Sequence, residues 1–161
     1  MPVNRIAKSL LLVAGIAIPA AAHSAFAPKE NPCFASGTAT YRIAPSATAP
    51  DFRIRIDGKA RRPDLRMRLV DRPEIADFVL VDDFSGAKSG ACRSSTPIRT
   101  VKLDADTPLP DVTVQLASGD GPADYTIYVH SVRYSQQDAA ALLAAMWKTD
   151  RRRELAARTV R

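Results

Sequence analysis

The sequence predicts an α+β fold: a mixed, mainly antiparallel sheet of five to seven strands, with one long C-terminal helix packed on it. Three observations lead there. Two short segments, 52–56 and 65–69, alternate apolar residues with arginine, the period of a half-buried strand. Several other short segments rich in Val, Ile, Leu and Tyr are separated by Pro- and Gly-containing turns. One segment, 135–153, carries apolar residues at helical spacing behind a capping serine. A sheet must cover its apolar side, and this helix is the long element available. A β-sandwich with an appended helix is the alternative.

The chain opens with Arg5 and Lys8, then an unbroken apolar run over residues 10–18, Pro19 and three alanines. A basic start, a short apolar core and small residues at the exit are the pattern of a cleavable secretory signal peptide, residues 1–24. The apolar run is well short of the ~20 residues a membrane span requires. The first cysteine, Cys33, follows Glu-Asn-Pro, which is no lipoprotein signal. Residues 25–147 then form a single globular domain with an N-terminal arm, and 148–161 a basic helix end and tail. Arginine outnumbers lysine 17 to 6, as in proteins of GC-rich bacterial genomes.

Within the domain, residues 25–36 read as an extended arm and 38–43 as a strand. In the strand at 52–57, Phe52, Ile54 and Ile56 share one face, with Arg53 and Arg55 on the other. The strand at 65–69 repeats this, with Arg66 and Arg68 outward. Phe78-Val-Leu-Val81 is continuously apolar, as in a central strand buried on both faces. Further strands fall at 98–103, 112–116 and 125–133. Ser135 caps the final helix with Asp138 three residues on, a relative of the capping box. Leu142, Leu143 and Met146 should be fully buried beneath it. The alanines 140, 141, 144 and 145 form a second apolar side, either covered or left as a dimer surface. No internal repeat is read from the sequence.

Two cysteines in an exported chain read as one disulfide, Cys33–Cys92. The full chain has a net charge of +6, but residues 25–147 are neutral, with fifteen acids against fifteen bases. Within them, 53–72 is basic and 73–147 acidic. A nucleic-acid partner is therefore not expected from the overall charge.

The binding candidates are Arg53, Arg55, Arg66 and Arg68 on one sheet face, and Arg151, Arg152 and Arg153 in the tail. Clustered guanidiniums bind carboxylates and phosphates in bidentate fashion. No catalytic residue, metal ligand set or cofactor motif is assigned. Asp104 and Asp106 begin like a calcium loop, but Pro108 replaces its third ligand. His130 lacks a nucleophile motif near it. The expected function is that of a small exported periplasmic protein that binds an envelope protein or anionic ligand and is not a catalyst. Three other readings stand beside it: a hydrolase using His130, a membrane-surface protein acting through Trp147 and the basic tail, and a homo-oligomer joined by the alanine side of the helix.

Overall fold

The computed structural model describes residues 33–36, 39–81 and 97–159, with side chains to Leu155. Eight strands form one sheet: β1 (Cys33–Ser36), β2 (Ala39–Ile43), β3 (Phe52–Ile56), β4 (Leu65–Leu69), β5 (Phe78–Val81), β6 (Ile98–Leu103), β7 (Val112–Ser118) and β8 (Tyr125–His130). A 3-10 turn at Pro73–Ile75 precedes β5, and the helix α1 spans Gln136–Thr159. The class is α+β, with one curled mixed sheet and one C-terminal helix.

The strand order is β1-β2-β6-β3-β7-β4-β8-β5. Only β1–β2 is antiparallel; the other six pairings are parallel. The expected mainly antiparallel sheet of five to seven strands is therefore corrected to a mainly parallel sheet of eight. Strands β2 to β5 are never neighbours of one another. β6, β7 and β8 slot between them, so two passes of the chain interlace.

Parallel neighbours usually need a long return crossover. Here the stagger removes that need. Residues 112–114 of β7 pair with the end of β3, and residues 114–118 pair with β4. β3 thus ends level with the start of β4, and residues 57–64 only step sideways past β7. The same step recurs at β6 and β8.

An internal repeat underlies this staircase, contrary to the sequence reading. Asp51, Asp64 and Asp77 stand 13 residues apart, as do Thr100, Thr113 and Thr126, and each threonine follows its aspartate by 49 positions. At all three levels the carboxylate accepts the threonine N–H at 2.7 Å. Asp111 and Asp124 repeat the device 58 positions away from their donors, accepting the N–H of Arg53 at 2.9 Å and of Arg66 at 2.7 Å. In a sheet this sheared, an amide beyond the overlap of its neighbour loses its ladder partner. The aspartate at the start of the next strand supplies a charged acceptor instead.

The inner face carries Tyr41, Phe52, Ile54, Leu65, Met67, Leu80, Val101, Val112, Val114 and Ile127, all buried. α1 packs against β2, β3, β4, β6, β7 and β8. Residues Ala139 to Ala145 are buried on every side, so the sheet wraps the helix rather than flooring it. Phe34 of β1 and Phe78 of β5, from opposite edges of the sheet, meet with ring centroids 5.6 Å apart. This explains the alanines: a helix enclosed by a curl of strands needs small residues wherever the wall approaches. It also corrects the dimer expectation, because Ala140, Ala141, Ala144 and Ala145 present no surface to a second copy. Leu142 is fully buried and Leu143 nearly so, whereas Met146 is only partly buried.

Ser135 and Asp138 form the expected cap. The Ser135 backbone N–H donates to Asp138 Oδ2 at 2.9 Å, and the Asp138 N–H returns to Ser135 Oγ at 3.1 Å. The expectation for Phe78–Val81 fails. Leu80 is 3% exposed, but Val79 is 44% and Val81 51% exposed, because β5 is an edge strand with an outward face.

Candidate functional site

Strand alternation sends Arg53 and Arg55 of β3, and Arg66 and Arg68 of β4, to the outer face. β3 and β4 are not sheet neighbours: β7 lies between them. Arg55 stands level with Thr113, and Arg66 with Gln115 two residues further along β7. At ~4.8 Å per strand and ~3.3 Å per residue, Arg55 and Arg66 have backbones about 12 Å apart. Arg53 with Arg55, and Arg66 with Arg68, are each about 7 Å apart along one strand. Lys102 of β6 stands beside Arg53. The stagger therefore lays the cations out as a diagonal stripe rather than a tight cluster. Arg53 and Arg66 are equivalent in the 13-residue repeat, as are Arg55 and Arg68.

Asp51, Asp64, Asp77, Asp111 and Asp124 stand at the strand starts, hydrogen-bonded to the backbone and still charged. Thr126 holds the Asp77 carboxyl below its ordinary range, first through its backbone N–H and then through its hydroxyl. Arg68 meets Asp120 only at 4.0 Å, with Asp120 in open solvent. Arg53 reaches the Thr48 carbonyl and Arg55 the Thr113 hydroxyl, both at 3.4 Å. The Nε atoms of Arg55 and Arg68 are buried, with no hydrogen-bond partner among the described residues. Arg66 is exposed and forms no ion pair among them. Lys102 pairs with Asp104 at 3.9 Å and Arg68 with Asp120, while Arg53, Arg55 and Arg66 form no ion pair among the described residues and are the cations open to an anion.

The tail arginines are arranged differently. α1 runs antiparallel to the strands and leaves the curl at their starting ends. Arg151 lies 5.0 Å over the half-buried Trp147 ring. Arg152 lies 5.4 Å over Phe52 and donates to Asp111 at 3.3 Å. Arg153 pairs with Asp150 at 3.7 Å. Asp64, Trp147, Lys148, Arg151 and Glu154 line a cavity of about 400 Å³ there, with both signs of charge represented. Arg152 and Arg153 thus face carboxylates and Arg151 an aromatic ring, whereas of the four sheet arginines only Arg68 faces a carboxylate among the described residues.

His130 ends β8 on the outer face, exposed, its ring parallel to Tyr128 with centroids 6.5 Å apart. Neither a serine nor a carboxylate is hydrogen-bonded to it among the described residues. Ser131 Oγ accepts the N–H groups of Arg133 and Tyr134 in a local turn. No group of three metal-ligating side chains occurs among the described residues. No helix among them is long and apolar enough to cross a membrane. Cys33 is buried on β1, whereas Cys92, and with it the expected Cys33–Cys92 disulfide, lies outside the described residues.

The sequence reading found the four sheet arginines from alternation alone. It missed that Lys102 extends the stripe and that Tyr128 and His130 share its face. The signal was available in the 13-residue spacing of Lys102, Gln115 and Tyr128. Comparison with known protein families, curated proteins and solved structures finds no match for this chain.

Proposed function

We propose that this chain is a small exported bacterial envelope protein that acts by binding an anionic partner on the outer face of its sheet. The observation that carries this reading is the stripe of Arg53, Arg55, Arg66 and Arg68, of which only Arg68 faces a carboxylate within 4.0 Å among the described residues. The basic, apolar and small-residue pattern of residues 1–24 supports export. A Cys33–Cys92 disulfide belongs to the same proposal and would anchor β1. Side chains on rigid strands suit recognition, because their geometry is set before the ligand arrives.

The test is calorimetric titration with dextran sulfate, with uncharged dextran as control, at 20 and 200 mM salt. Binding should be confined to the charged polymer and weaken at the higher salt. Arg55→Gln with Arg66→Gln should lower affinity about tenfold or more, as expected when charge-assisted contacts are lost. Arg151→Gln should leave it unchanged. Equal binding by the double variant would refute the assignment to this face.

A further inference from the structure

We infer that the anionic partner is an acidic polysaccharide, lying diagonally across the outer face from Lys102 to the Tyr128–His130 pair; this rests on the anion-binding reading above. The stagger that spreads the arginines also continues their line. Arg68 is level with Thr126 of β8, and Tyr128 stands two residues further on the same face. Its backbone is thus about 8 Å from that of Arg68. Tyr128 and His130 are stacked within 9° of parallel. The next outward positions, Val79 and Val81, are level with Tyr128 and His130 and are also exposed. The stripe therefore passes from guanidiniums to a broad aromatic and aliphatic platform.

A sugar ring offers two chemistries at once: an apolar C–H face that packs on an aromatic ring, and hydroxyl or carboxylate groups at its rim. The platform suits the first and the arginines the second. Between the arginines lie Thr113 and Gln115 rather than aromatic residues. Gln115 donates its amide to the Gly58 carbonyl at 3.2 Å, which leaves its side-chain oxygen as the group that can accept from a hydroxyl. A single-stranded nucleic acid requires aromatic rings along the cationic track, so that successive bases stack. Here the rings stand only at one end.

Fluorescence anisotropy with labelled oligogalacturonates of two, four and eight units tests this. Polyphosphate and a single-stranded DNA of matched charge serve as competitors. Affinity should rise with oligomer length, and the octamer should outcompete polyphosphate. Tyr128→Thr and His130→Ala, both on the outer face, should each weaken octamer binding about fivefold, the scale of one lost ring contact. They should leave the binding of polyphosphate, which has no sugar ring, and the thermal melt unchanged. If polyphosphate binds but the octamer binds no better than it, or is indifferent to both ring variants, the saccharide inference is overturned while the anion reading stands. Tighter binding of the DNA overturns it likewise. If no polyanion binds, both readings fall together.

Discussion

Removing the Asp64 carboxylate tests the clasp that joins the two interlaced passes. Asp64 Oδ2 accepts the Thr113 N–H at 2.7 Å, and Thr113 is only 6% exposed. Asp64→Ala leaves that amide without its acceptor in a place water reaches poorly. A buried unsatisfied donor costs about 1–3 kcal/mol. The equivalent Asp51→Ala and Asp77→Ala also orphan a threonine amide, but Thr100 and Thr126 are only half-buried. Water can replace the carboxylate there, so each should cost about 1 kcal/mol or less. Asp64→Asn retains a carbonyl acceptor and should fall between the Ala variant and the natural protein. Urea unfolding with a common m-value is the assay. For an m-value of ~2 kcal/mol/M, Asp64→Ala should lower the midpoint by roughly 1 M. A midpoint unchanged in Asp64→Ala, or a larger loss in Asp77→Ala than in Asp64→Ala, would refute the argument that burial of the threonine amide sets the cost.

Three further outcomes are expected. Because Thr126 depresses the Asp77 pKa in the folded state, this group stabilises the fold above the ordinary carboxylate range. That contribution disappears as pH falls through the depressed value; the stability gap between the natural protein and Asp77→Asn, followed from pH 5 to 2, should therefore narrow toward acid. Leu142→Ala should cost about 2–5 kcal/mol as a truncation inside the curl, more than Met146→Ala, and Ala144→Glu should prevent folding by placing a carboxylate where the helix is enclosed on all sides; a folded Ala144→Glu protein by circular dichroism would contradict that enclosure. A fragment ending at residue 96 should remain unfolded, because β3, β4 and β5 have all their strand partners in β6 to β8 and the β1–β2 hairpin alone is marginal; a cooperative melt from this fragment would defeat the interlaced topology.

Apart from β1, read as part of an extended arm, and the last turns of α1, local residue patterns mark where the elements fall and which way their side chains point. Phe52, Ile54, Leu65 and Met67 alternate with arginines, and period two decides which residues share a face without reference to any partner. The Ser135–Asp138 cap and the apolar run behind it are local in the same sense. Pairing was not local. Every parallel ladder joins residues 49 or 58 positions apart, and alternation is the same whether a strand's neighbour is the next segment or one from the second half of the chain. The four apolar residues of β5 read as a central strand because composition records hydrophobicity, not position at an edge. The alanines of α1 were legible as a second apolar side, but only the curl of the sheet decided that this side is walled in. The sheet arginines were legible as a face; the shear of the strands decided that they form a line, because each strand begins where its predecessor in the same pass ends.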